Sequence, residues 1–416
     1  MWNLLNSQKK YSNENSLGSY RSCPICGSKK SKKIFELENF QFYLDSEEEP
    51  KQFSVKENIC LECFAIYLNP VYSEKGLRVL FREAGQSYGV LESHVSEQIA
   101  WLDKRGLLTE NSSILDVGCY EGTFLSKIPN YVKKYGVDID KKAVETAQKR
   151  YAKNGTEFYH GAFESFEYKG NAPDTIVMFH VLEHLVDPIA VLIKLKKISK
   201  SSTNLIIEVP IIEQGETNDI NGFFSIQHAT HFSKNSLKKC LTKSRWKIVE
   251  EYSMNDYNGF RVHCVPELKI DFNTKIENLS KEIDFLLYLD YLSSWYKSLK
   301  NIEKKICNIK KLPFYIIWGG GAHTEFLYQT TSFFHKRKKS KFLIVDSDST
   351  KHEGTWRGIK IFNPKILETI AKDIEWNDTG LLISSYGSQS LIKKAAIESG
   401  VKESSILELY KNIVRY

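Results

Sequence analysis

Between Ser112 and about Pro266, short apolar runs alternate with amphipathic stretches: SILDV before TFLSKI, KYGVDI before KAVETAQKRY, TEFYH, DTIVMFHVL before PIAVLIKLKKI, and NLIIEVP. Strands covered on both faces read as continuous apolar runs, and intervening helices return the chain for parallel pairing. The pattern therefore predicts an α/β unit with a doubly wound, Rossmann-like parallel sheet. Upstream, SHVSEQIAWLDKRGL places Val95, Ile99, Leu102 and Leu107 near one face of a helix over about 85–110. Downstream, about 275–311 reads as an amphipathic helix, with Ile283, Leu286, Leu287, Leu289, Leu292 and Trp295 among Lys and Glu, a connector for packing or dimerisation. A second alternation follows in FYIIW, EFLYQTTSFF, KFLIVD and LLISSY, predicting a smaller α/β unit.

A chain of 416 residues is too long for one core. The expected divisions are a small cysteine-bearing module at 18–72, the main α/β domain at 85–270, the helical connector at 271–312 and the C-terminal α/β domain at 313–416. Hydrophobic residues make up 42% and charged ones 26%, the balance of a globular rather than a disordered chain. The N-terminal stretch MWNLLNSQKKYSNENS lacks the apolar core of a secretory signal, and no run of about 18 apolar residues occurs, so a cytoplasmic, non-membrane protein is expected. The net charge of +7 is concentrated in Lys29–Lys33 and His335–Lys341. No aromatic residues interleave these runs, which makes them solvated surface and nucleic acid an unlikely partner.

Cys23 and Cys26 form one CxxC pair and Cys60 and Cys63 another. Four thiolates at this spacing make a closed shell for a structural zinc ion, with a β-hairpin from FELENFQFYL and KQFSVKENI filling the gap.

The first α/β run ends in a glycine turn, SILDVGCYEGTFL, carrying Asp116, Gly118, Cys119 and Gly122. A dinucleotide loop has a glycine where Tyr120 stands, and Asp116 and Glu121 would repel a pyrophosphate. Those acids suit a ligand with a sulfonium and an amino group. Asp138, about twenty residues on, closes the next strand where a carboxylate takes both ribose hydroxyls, and Gly161, Ala162 and Phe163 follow the third strand near an expected adenine.

On these residues, about 85–250 resemble the class I methyltransferases, which bind S-adenosylmethionine. The resemblance extends through MFHVLEHLVDP and implies that His180, Glu183 and His184 line the cofactor and face the acceptor. Glu183 and His184 would alternatively cap the helix beginning near Asp187-Pro188. The segment GFFSIQHATHFSKNSL is similar to a motif of sugar methyltransferases in which tyrosine, histidine, glutamate and histidine precede an aromatic residue, phenylalanine and serine. That resemblance makes His228 the general base, leaves His231 to pack beneath it, and sets Ser225 and Gln227 at the tyrosine and glutamate positions. Their replacement weakens carbon methylation and raises oxygen methylation as a competitor.

The same family carries an N-terminal four-cysteine zinc module, here a lid from whose connecting loop Tyr88 reaches the site. It also carries a C-terminal Rossmann-like domain that helps hold the nucleotide part of the substrate. Gly319, Gly321, Thr324 and His323 mark the matching glycine turn here, with Asp346 ending the next strand. The domain either cradles a nucleotide on the amides of Gly320 to His323 or only packs. The expected acceptor is a sugar or nucleotide sugar, and the expected assembly a monomer or homodimer. An RNA methyltransferase and a non-catalytic zinc-containing binding protein are the competing readings.

Overall fold

The structure is a computed structural model and describes residues 17–43, 51–77, 80, 92–151, 155–163, 165–168, 170–215, 217, 219–220, 222–254, 257–267, 281–352 and 354–411. The N-terminal unit is a meander of β1 (Ser31–Tyr43), β2 (Lys51–Cys60) and β3 (Ile66–Leu68), with the long pair β1 and β2 antiparallel.

The central unit runs β4 (Ser113–Val117), β5 (Lys133–Asp138), β6 (Thr156–His160), β7 (Thr175–Phe179), β8 (Asn204–Val209), β9 (Thr230–His231), β10 (Trp246–Ser253) and β11 (Phe260–Pro266). Seven of these form one sheet in the order β10-β11-β8-β7-β4-β5-β6. β4 to β8 are mutually parallel, and β11 enters antiparallel to β8. α1 (Glu92–Asp103), α2 (Thr123–Lys127), α3 (Lys141–Tyr151), α4 (Pro188–Lys197) and α5 (Lys234–Lys243) accompany it. The order reverses between β4 and β7, so their carboxyl ends open a crevice where α/β sheets bind ligands. α1 buries Val95, Trp101 and Leu102 in the core of one face with Ile114, Leu125, Val177 and Ile206. α4 begins with Pro188 at its first turn, and the Asp187 side chain accepts from Ala190 N at 2.9 Å. Helix capping thus falls to Asp187, leaving Glu183 and His184 for other partners.

β9 leaves the central sheet and pairs with β3, Thr230 opposite Tyr67 and His231 opposite Ile66, giving a four-stranded sheet β9-β3-β2-β1. The two units share one core in which Cys23, Ile25, Cys60 and Tyr67 pack with Val209, Phe232 and Leu237. Arg21 donates to the backbone carbonyls of Val186 and Ala229, a further tie between them.

The connector is one helix, α6 (Lys281–Asn308). Its buried side is only partly the one expected: Trp295 is buried, together with Tyr288, Tyr291, Ile302 and Ile306, whereas Ile283, Leu286 and Leu289 are exposed. Aromatic residues decide this, because Tyr291 donates to Phe223 O and Trp295 Nε1 to Ile220 O at 3.1 Å, anchoring the helix on the loop after β8. The C-terminal unit is a second sheet of β12 (Phe314–Trp318), β13 (Lys341–Val345), β14 (Thr355–Trp356), β15 (Ile359–Phe362), β16 (Thr379–Ile383) and β17 (Ile406–Leu407), ordered β14-β15-β13-β12-β16-β17. Its helices are α7 (Ala322–Thr330), α8 (Ile366–Ile370) and α9 (Gln389–Glu398). The expected α/β class, with a large parallel-rich sheet and a second sheet domain, is the observed one. Among the described residues no helix is long and apolar enough to cross a membrane.

Candidate active site and cysteine centre

The carboxyl ends of β4, β5 and β7 bring together most of the residues expected at the cofactor. Gly118 leaves β4 at φ 84°, and a Cβ there would lie 2.2 Å from Val181 Cγ2. Only glycine fits, because both the left-handed backbone and the neighbour exclude a side chain. Gly122, at φ 77°, opens α2 beneath Phe158 in the same way. Cys119 is buried between them. Asp138 accepts from the backbone N–H of Tyr120 and of Asp140, each at 2.8 Å. A carboxylate has about four lone-pair positions, so two remain for a pair of hydroxyls. Burial raises the Asp138 pKa against those two backbone bonds. Asp116, 4% exposed, is pushed up to about 8 by burial and by the charge of Asp138. The turn therefore holds stored demand for a positive group beside Asp116. Phe163 is buried after β6 with Lys194 Nζ over its ring and 2.7 Å from its carbonyl, and Ala162 is half-buried beside it.

His180, at φ 56°, ends β7 inside a buried charge network that spacing alone did not reveal. Its Nε2 lies 3.1 Å from Glu208 Oε1 and 2.7 Å from Tyr257 Oη, and its Nδ1 3.4 Å from Glu183 Oε1. Desolvation opposes charge on this ring, but hydrogen bonds to Glu183 and Glu208 outweigh it and bring its pKa to about 10. Glu208 also accepts from His94 Nε2 and from Arg261 Nε, both at 2.7 Å, while Arg261 reaches Glu97. With both ring nitrogens engaged, His180 fixes the strand end and offers a ligand its ring edge and backbone. The signal for this network was present: Glu208 and Arg261 are lone charges inside apolar strands, NLIIEV and FRVHCV, where a buried charge needs a partner.

On the acceptor side, the loop after β8 carries Ser225, Gln227 and His228 back over the short turn Leu182–His184. His184 Nδ1 donates to Gln227 O at 2.9 Å, and the His184 and His228 rings are 5.1 Å apart. Desolvation, together with the neighbouring His184, His231 and His180, holds half-buried His228 well below the ordinary histidine range. It is neutral at pH 7. His231 faces away into the N-terminal unit, where its Nε2 donates to Glu57 Oε1 at 3.0 Å. Glu57 is wholly buried on β2, so the cysteine-bearing unit supplies a side chain that anchors the histidine loop. The His228 and His231 rings still touch, their centroids 5.6 Å apart, but only His231 takes a carboxylate partner from the N-terminal unit.

Gly319, Gly321 and His323 lie at the start of α7. A Cβ at Gly319 would meet Ser384 O at 2.5 Å, and one at Gly321 would meet Lys351 Nζ at 2.9 Å. His323 bonds Ser384 Oγ at 3.1 Å and Tyr410 Oη at 2.6 Å. Tyr410 reaches Asp219, on the same loop after β8, so the C-terminal unit abuts the segment that carries His228. Asp346 accepts from Gly320 N and Asp348 N and pairs with Lys351. Tyr88 lies outside the described residues.

The four cysteines of the N-terminal unit converge as free thiols. Cys23 and Cys63 sulfurs are 3.6 Å apart, Cys26 and Cys60 sulfurs 3.4 Å, and all four lie within 4.8 Å of one another. Four ligands about 2.3 Å from one tetrahedral ion would sit ~3.8 Å apart, so the set fits a closed thiolate site.

Residues 91–251 match the family described as "Methyltransferase domain". Together with the strand order and the glycine turn, this identifies the central unit as a class I S-adenosylmethionine-dependent methyltransferase domain. An uncharacterized methyltransferase of Schizosaccharomyces pombe is 28% identical over 129 residues, 26% of this chain and 46% of that protein, so the chain spans about half the length of that relative. Among solved structures, magnesium protoporphyrin IX methyltransferase from Synechocystis with bound SAH is 21% identical, covering 42% of this chain and 82% of that one at a TM-score of 0.34. A methyltransferase from Clostridium acetobutylicum is 9% identical, covering 45% and 97% at a TM-score of 0.37.

Proposed function

We propose that the whole chain is a methyltransferase that uses S-adenosylmethionine to methylate a sugar or nucleotide sugar, with His228 as general base. The observation that carries it is the pairing of a carboxylate-lined glycine turn with a neutral histidine across one crevice. Asp138 holds the ribose, the turn of Gly118, Cys119 and Gly122 with Asp116 holds the amino-acid part, and Ala162 and Phe163 border the adenine. Bound there, the cofactor supplies a methyl group already activated on a positively charged sulfur. The chain's task is then to align the acceptor and remove its proton. His228 accepts that proton from an acceptor hydroxyl, and His184, pinned by its bond to Gln227 O, keeps the ring in place. Ser225 and Gln227 stand beside the base in place of the tyrosine and glutamate that serve carbon methylation, which makes oxygen methylation a serious competitor to it. The C-terminal unit, with Gly319, Gly321 and His323 at its turn, is suited to the nucleotide part because it touches the same loop through Tyr410 and Asp219. The four thiolates hold a structural zinc ion.

Incubating the chain with methyl-labelled cofactor and a panel of nucleotide sugars, then weighing the products, tests the substrate class. A gain of one methyl group on a sugar is expected; label entering only RNA, or no acceptor at all, would sink it. The cofactor half has its own test. In the ligand-free chain Asp116 keeps its proton up to about pH 8, and a cation beside it favours the ionised form. Binding should therefore release a proton below that pH, and affinity should climb by up to about tenfold per unit between pH 6 and 8, then level off. Calorimetry in two buffers of different ionisation enthalpy reads the proton directly, and Asp116→Asn is expected to flatten the slope.

A further inference from the structure

Glu183 and His184 are consecutive on the turn Leu182–His184, and His228 meets them from the loop after β8. One ligand atom from each lies within 4.8 Å of the other two. Glu183 is 1% exposed, yet its Oε2 has no hydrogen-bond partner among the described residues. Its Oε1 faces His180 Nδ1 at 3.4 Å, which balances part of the charge, but a buried carboxylate oxygen without a hydrogen bond remains costly. His184 gives its Nδ1 hydrogen to Gln227 O, which turns Nε2 toward Glu183, 3.8 Å from its Oε1. The gap is too long for a hydrogen bond. It is within a few tenths of an ångström of the ~3.0–3.6 Å between two ligands on one ion at about 2.1 Å. A histidine whose far nitrogen is tied to a backbone carbonyl is also the usual arrangement behind a metal-bound imidazole. The other group of this composition, His94, His180 and Glu208, is already neutralised by Arg261.

We propose that Glu183, His184 and His228 bind a divalent transition-metal ion, and that this ion suppresses methyl transfer by occupying the His228 nitrogen that would take the acceptor's proton. Two imidazoles and one carboxylate suit zinc, cobalt or iron better than magnesium or calcium, which prefer oxygen ligands throughout. Metal and proton compete for one lone pair, so occupancy and turnover exclude each other. The suppression rests on the reading of His228 as base; the binding does not.

The full chain carrying one equivalent of zinc, titrated with cobalt(II) and followed by visible absorption, decides the matter. One further equivalent is expected, giving ligand-field bands without thiolate charge transfer, since no cysteine belongs to the trio. Glu183→Gln and His184→Ala should each weaken that uptake at least tenfold, while an unchanged zinc content certifies that each variant has folded. Methyl transfer by the unsubstituted chain should fall at least tenfold at saturation. Absence of the bands, bands that survive in both variants, or a thiolate signature would overturn the site. Full turnover at full cobalt occupancy would overturn the suppression. A chain that binds cobalt as described yet methylates nothing supports the site and counts against the proposed function instead.

Discussion

His228→Ala is expected to slow turnover by about 10²- to 10⁴-fold while changing the affinity for S-adenosylmethionine less than about twofold. The split follows from where the residue sits. The glycine turn, Asp116 and Asp138 belong to β4 and β5, whereas His228 hangs from the loop after β8 and packs against the His184 and His231 rings. A lost proton acceptor raises the barrier to chemistry and leaves those cofactor residues intact. His231→Ala is the control. It strips Glu57 Oε1 of its partner in a fully buried setting, which costs about 1–3 kcal/mol of stability. A lower melting temperature with turnover per folded molecule near normal is expected there. Steady-state kinetics and calorimetry on both variants give the comparison. If His228→Ala turns over normally and His231→Ala does not, the base has been assigned to the wrong histidine.

Much of this site was legible because it depends on short-range rules. A glycine turn between an apolar strand and a helix, acids flanking that turn with Tyr120 in place of a phosphate-binding glycine, and a carboxylate ending the next strand all sit within one βαβ span, where sequence order is spatial order. The paired CxxC knuckles were equally plain, since each pair needs only a tight turn to aim both sulfurs inward. What the sequence hid depends on distant segments meeting. Glu57 and His231 are joined only because β9 pairs with β3, an excursion of two residues with no periodicity to betray it. The partners of His228 come from a turn more than forty residues earlier, so looking along its own segment could not bring them to it. The connector failed differently. The spacing pointed to Ile283, Leu286 and Leu289 as well as Trp295, but Tyr291 and Trp295 carry both apolar area and a hydrogen-bond donor, and burying those two satisfies more of the helix at once than burying the aliphatic residues.

Stripping metal with a thiol-competing chelator, or replacing Cys60 by serine, is expected to destabilise more than the module that carries the cysteines. Cys60 is wholly buried, and the core it joins includes Val209, Phe232 and Leu237 of the methyltransferase domain. Structural zinc contributes on the order of 10 kcal/mol to small domains that fold around it, comparable with the 5–15 kcal/mol that holds a whole domain together. Loss of the ion should loosen the turns that place Cys23 and Cys63, then the β3 edge on which β9 is paired, and with it the Glu57 bond to His231. A fall of more than about 10 °C in the melting temperature is expected, several kcal/mol at roughly 2–4 °C each. Hydrogen exchange should show where it goes: protection lost across β2, β3 and β9, with the His228 loop following, while β12 and β16 of the C-terminal sheet keep theirs. If instead the metal-free chain melts as before, the cysteine centre carries little of this fold, and its bond to the histidine loop is held by packing alone.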